Sequence, residues 1–149
     1  MRHVGYGAAF AVLLALVNLP AGAVDHKTEN LAVREVRSRP TPPVASVGVV
    51  YFSITNAGRK ADRLVAVSSP VARQAEIHET RTVQGTMQMR AVESIECPPG
   101  VTVKIEPGGL HVMLLGLTHP LVAGTEFPLT LRFRDAGSMT VQVVVDARP

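Results

Sequence analysis

From Val47 to Thr55 the residues alternate with a period of two. Val50, Phe52 and Ile54 fall on one side and Val49, Tyr51 and Ser53 on the other, the pattern of a half-buried strand. Similar short β-rich runs recur over Leu64 to Val67, Ala75 to Thr80, Met87 to Val92, Val101 to Ile105, Leu110 to Leu115, Leu129 to Arg134 and Thr140 to Val145. Turn chemistry separates them: Asn56-Ala-Gly58, Gln84-Gly85, Pro98-Pro-Gly100, Pro107-Gly-Gly109 and Asp135-Ala-Gly137. No segment carries a convincing amphipathic helical period. The pattern predicts one all-β domain, an antiparallel sandwich or small Greek-key barrel. Arg39-Pro-Thr-Pro-Pro43 reads as an extended segment entering that domain.

The first residues do not belong to the sandwich. Met-Arg-His is followed by an apolar run from Ala8 to Val17 and by the small residues Ala21-Gly22-Ala23, which is the layout of a secretory signal peptide. Cleavage near Ala23 would leave residues 24–149 as the mature domain, an exported protein without a membrane span. The apolar run is too short to cross a bilayer as a mature helix, and no cysteine stands at the cleavage point to carry a lipid.

Composition narrows the chemistry. The chain has 149 residues, room for one ordinary domain, and a formal charge of +3 without any basic run. With six aromatics in all, Tyr6, Tyr51, Phe10, Phe52, Phe127 and Phe133, a nucleic-acid partner is not expected. A single cysteine, Cys97, excludes an internal disulfide, a Cys-x-x-Cys pair and a four-Cys zinc site. Hydrolytic motifs such as G-x-S-x-G and H-E-x-x-H are absent, so the chain is read as a binder and not an enzyme.

Methionine and histidine cluster instead. On a strand, His111 and Met113 share one face, while Leu110, Val112 and Leu114 take the other, which reads as the core face. If Gln84-Gly85 is a two-residue turn, Val83 pairs with Thr86 and His78 with Ala91, making Met89 a diagonal neighbour of His78 on the same face. Met87 points the same way. Two such pairs, if brought together, would offer two imidazoles and two thioethers. Thioether sulfur is soft and uncharged, which suits Cu(I) and not magnesium or calcium. Outside the cytoplasm, Met and His also keep their donor atoms where thiols would be oxidised.

In order, His78, Met89, His111 and Met113 spell H-(x)10-M-(x)21-H-x-M. With Arg39-Pro-Thr-Pro-Pro43, Val50-Tyr-Phe-Ser-Ile-Thr-Asn56, Ile77-His-Glu79, Pro107-Gly-Gly109 and Met113-Leu-Leu-Gly-Leu117, the chain resembles the PCu(A)C family of periplasmic copper chaperones over most of its mature length. The resemblance implies a cupredoxin-like β-sandwich that binds one Cu(I) through those four side chains. It also implies delivery of copper to the CuA centre in the copper subunit of cytochrome c oxidase, alongside Sco-type thiol proteins. The chain departs from the family in lacking an aromatic residue before Arg39 and a Met/His-rich tail after Asp146. A monomer is expected.

Other readings stand beside this one. The face could be a hydrophobic patch of an exported adhesion or interaction module, or the protein could serve copper tolerance or storage. Cys97 with two His and a Met could form a blue-copper electron-transfer site, but its distance in sequence from His111 opposes that, and a small buried hydrophobe is expected. Met87 is read as ordinary packing, with a hydrophobic rim or a substitute donor as the alternative, Met139 as core, and His119 as a solvated loop residue, with assistance in metal transfer as the alternative. Cleavage after Ala23 would make His26 the third residue, a pattern that favours weak, square-planar Cu(II) at the mature amino terminus.

Overall fold

The computed structural model describes residues 26–28 and 30–147. The expected leader, its expected cleavage point near Ala23 and the amino terminus that such cleavage would create lie outside the described residues. His26 enters only as a backbone position, paired with Val33.

The described residues form eleven strands and no helix: β1 (His26–Lys27), β2 (Leu31–Ser38), β3 (Val47–Asn56), β4 (Asp62–Ser68), β5 (Ala72–Val83), β6 (Thr86–Ala91), β7 (Ile95–Cys97), β8 (Thr102–Ile105), β9 (Leu110–Leu117), β10 (Glu126–Phe133) and β11 (Gly137–Val145). They hydrogen-bond along the path β6-β5-β9-β3-β2-β11-β10-β4-β7, with β1 beside β2 and β8 beside β3. One edge of β3 pairs with β2; the other is shared end to end by β9 and β8. The pairings are antiparallel except for β2 with β11, which run parallel through Arg37 and Ser38. The all-β reading therefore holds, with one parallel pair in it.

Alternation builds the core. Val50, Phe52 and Ile54 of β3, Leu129, Leu131 and Phe133 of β10, and Val141, Val143 and Val145 of β11 all point inward and are buried. Leu31 and Val33 of β2, Ile77 of β5, and Val112 and Leu114 of β9 join them, as does Met139. Each full burial of such a side chain contributes about 1.5–3 kcal/mol of transfer free energy.

Three strands depart from the sequence expectation. β2 is central, yet its period breaks at Glu35, where φ is 55° and the register against β3 shifts between Arg34 and Arg37. Arg39 to Pro43 thus connects β2 to β3 and does not open the domain; Thr41 ties it down by bonding Leu121 through both backbone N–H and side-chain oxygen. β1 and β7 are too short to show a period.

The β5–β6 hairpin forms in the anticipated register, Val83 with Thr86 and His78 with Ala91. Gln84 and Gly85 sit at φ 50° and 78°, as a turn with two positive φ values requires.

Candidate metal site

β5 lies between β6 and β9, so its outward residues are flanked on both sides. His78 is the direct cross-strand partner of His111 on β9, and Glu76 is the partner of Met113. On the other side His78 faces Ala91 and Thr80 faces Met89. His78, His111, Met113 and Met89 accordingly share one face of the three strands. Ile77, Val112 and Leu114 occupy the opposite, buried face.

The imidazole rings lie with centroids 6.0 Å apart and planes inclined by 40°. Nδ1 of His111 is 3.0 Å from the carbonyl oxygen of Gly109, an acceptor only, so this nitrogen carries the proton and donates. Nε2 of His78 is 2.8 Å from Oε2 of Glu76 and donates to that carboxylate. In the neutral ring this leaves the lone pair on Nε2 of His111 and on Nδ1 of His78. Both atoms are buried, and neither has a hydrogen-bond partner. An unpaired buried polar atom costs about 1–3 kcal/mol, so two on facing rings call for a ligand. A soft cation accepting both lone pairs fits them.

Burial is graded across the face. His111 is 5% exposed, more sheltered than the sequence pattern implied. Met113 is half-buried, while Met89 is 57% exposed on the edge strand. Met87 is 70% exposed and packs no core, which corrects the expectation of ordinary packing: β6 pairs with β5 alone and no second layer covers it. Among the described residues no group of three or more His, Cys, Asp or Glu gathers; the other soft donors on this face are the thioethers of Met89 and Met113.

Glu76 was not singled out from the sequence. It stands two residues before His78, on the same face, and its carboxylate also accepts from Gln74 at 2.6 Å. Strand alternation and the habit of metal-bound His donating its second N–H to a carboxylate were the available signals. Beyond His78, Glu79 turns to the opposite side, where Arg81 at 2.8 Å and Arg90 at 3.2 Å hold its carboxyl below the usual value against a smaller opposing effect of burial.

Cys97 lies elsewhere. It is fully buried on β7, at the opposite end of the strand path from β6, and pairs with Asp62 of β4. Burial pushes its thiol up to about 11, with Asp62 and Glu96 adding to the effect. That is a structural cysteine and not a thiolate ligand. His119 is exposed in a loop, its Nδ1 3.1 Å from the carbonyl oxygen of Pro120.

The molecule is an all-β domain with two imidazoles and two thioethers on one sheet face. Residues 31–145 match the family described as "Putative lipoprotein LpqE-like". The "Putative lipoprotein Lxx21020" of Leifsonia xyli subsp. xyli is 32% identical over 140 residues, covering 91% of this chain and 84% of that protein. The "Uncharacterized protein RP573" of Rickettsia prowazekii is 34% identical over 131 residues, covering 85% of this chain and 69% of that protein. Among solved structures, the apo PCuAC domain from PmoF1 superposes with a TM-score of 0.72 at 26% identity, covering 84% of this chain and all, 100%, of that domain. The Cu(I) form of DR1885 from Deinococcus radiodurans gives 0.59 at 25% identity, covering 86% and 83%. The copper-bound PCuAC domain from PmoF2, at 0.71 and 22% identity, covering 84% and 99%, shares the fold. The chain belongs to the LpqE-like family, and its fold is that of the PCuAC domains.

Proposed function

We propose that the protein carries a single Cu(I) on His78, Met89, His111 and Met113 in the periplasm and passes it to an acceptor such as the CuA centre of cytochrome c oxidase, with Sco-type thiol proteins as further partners. The observation that carries this reading is the pair of buried, unpartnered nitrogens on the facing rings of His78 and His111. The thioethers of Met89 and Met113 share their face and complete a soft, neutral donor set. No ligand need be deprotonated, so release costs little when thiolates of a partner replace the donors one by one. The exposed flank at Met89 is where that exchange would start.

Copper-edge X-ray absorption on the Cu(I)-loaded protein, with competition titrations of Met89→Leu and Met113→Leu, tests the site. Two sulfur and two nitrogen neighbours, and weaker binding in both variants, are expected. A copper environment without sulfur, or wild-type affinity in both variants, would end it.

A further inference from the structure

Met87 remains unexplained by a four-ligand site. Pairing with β9 ends at Glu79, opposite Leu110, and the backbone N–H of Thr80 makes the last bond across, to Gly109. Beyond that point residues 80–89 are a two-stranded ribbon closed by Gln84-Gly85, and all of β6 is exposed. Such a ribbon would ordinarily be polar on both faces. This one displays Met87 and Met89 at 70% and 57% exposure, more open to solvent than any other large apolar residue described except Val44 and Val122.

The register fixes where they stand. Met87 faces Thr82, Met89 faces Thr80, and the next outward rung inward is Ala91 with His78 and then His111. Successive rungs on one face are about 6.5–7 Å apart, so Met89 neighbours both Met87 and His78. Met87 is two rungs from His78, beyond the diagonal reach of about 7–8 Å that lets cross-strand neighbours touch. Met87 therefore cannot join the imidazoles around one ion, but it can share an ion with Met89. The opposite face of the ribbon carries the ion pairs of Glu79 with Arg81 and Arg90, while strand alternation puts the two thioethers on a common side.

We propose an outer Cu(I) site formed by the sulfur atoms of Met87 and Met89, a landing place on the projecting ribbon from which the ion moves to the inner donors. This rests on the inner site proposed above. Copper stays monovalent throughout: the Met87 sulfur bond breaks as a bond to a ring nitrogen of His78 or His111 forms, while Met89 holds the ion in both positions. Departure to a partner runs the same exchanges in reverse. Two thioethers bind Cu(I) more weakly than the full set, so the outer site governs rates and not the final affinity.

Stopped-flow transfer of Cu(I) from a coloured Cu(I) chelator to the full mature chain separates the possibilities, using Met87→Leu, which keeps the apolar bulk and removes the sulfur. Uptake and release should each slow by about tenfold, because capture next to the inner donors raises the local copper concentration. Equilibrium affinity should stay within about twofold of wild type, since the inner set is intact. Wild-type rates in Met87→Leu would overturn the outer site while leaving the inner one standing. A loss of affinity as large as in Met89→Leu would overturn it too, by making Met87 an inner ligand. Failure of the unmodified protein to retain Cu(I) would instead remove the inner site, and the outer one with it.

Discussion

Asp62 and His111 are both buried polar side chains, and the structure treats them in opposite ways. Asp62, at the start of β4, accepts the backbone N–H groups of Arg63, Asp135 and Ala136 at 2.7, 3.0 and 2.9 Å. Asn56 beside it donates to the carbonyls of Lys60 and Cys97 and accepts from Gly58. These side chains staple the loop after β3 and the β10–β11 turn to the sandwich. His111 and His78, at the other end of the strand path, each spend one ring nitrogen on the protein and leave the other buried and unmatched. Asp62 is fully paired within the fold, whereas the unmatched ring nitrogens are the atoms that the proposed copper site uses. The stabilisation given up there is of the order of the unpaired-group cost, about 1–3 kcal/mol each.

The comparison breaks most visibly if the two regions are mutated in turn. Asp62→Ala strands backbone donors in a buried turn and should lower unfolding free energy by about 3 kcal/mol in urea melts. Cu(I) affinity of the folded fraction should be unchanged. His111→Leu should do the reverse: Cu(I) affinity measured by chelator competition falls by at least about 100-fold, equivalent to about 2.7 kcal/mol. Metal-free stability should change by less than about 1 kcal/mol, because the substitution removes an unpaired nitrogen. The Gly109 carbonyl that loses the ring N–H still accepts from the backbone of Thr80. A large stability loss in His111→Leu would erase the distinction.

Glu76→Ala sharpens it at smaller size. Without the carboxylate, the His78 ring is no longer held with Nδ1 free, and Cu(I) affinity should fall by about tenfold. Imidazole 15N spectra should show His78 in mixed tautomers while His111, fixed by Gly109, keeps its own.

The least effect is one of pH, in the metal-free protein. Burial pushes the Asp62 carboxyl up, but the three backbone donors and the Arg134 guanidinium outweigh it and hold it below its ordinary value of 3.8. A lowered folded value means that the ionised carboxylate stabilises the fold above 3.8 and loses that contribution as pH falls from there through the lowered value. The stability advantage of wild type over Asp62→Asn should therefore be flat at neutral pH and shrink only in that acid window.

The fold was legible where the period of two was unbroken. β3, β10 and β11 carry clean alternation, and the β5–β6 register followed from Gln84-Gly85 alone. β2 escaped because the bulge at Glu35 shifts Val36 and Ser38 out of phase with Leu31 and Val33. Its parallel pairing with β11 depends on chain segments far apart in sequence, about which no local pattern speaks. Glu76 escaped because a carboxylate on an outward strand position looks like any solvated charge until its hydrogen bond is seen.

The amino-acid order by itself determined which donors this chain offers and their short-range geometry: His111 and Met113 on one side of a strand, His78 and Met89 diagonal across a tight turn. Both follow from strand pleat and turn conformation, which are local. That β5 pairs with β9 so that the two imidazoles face one another, that one nitrogen of each ring is sealed without a partner, and that the methionine ribbon overhangs the sheet were decided only in three dimensions. Register between distant strands is set by how the whole core packs, and no short stretch of residues encodes it.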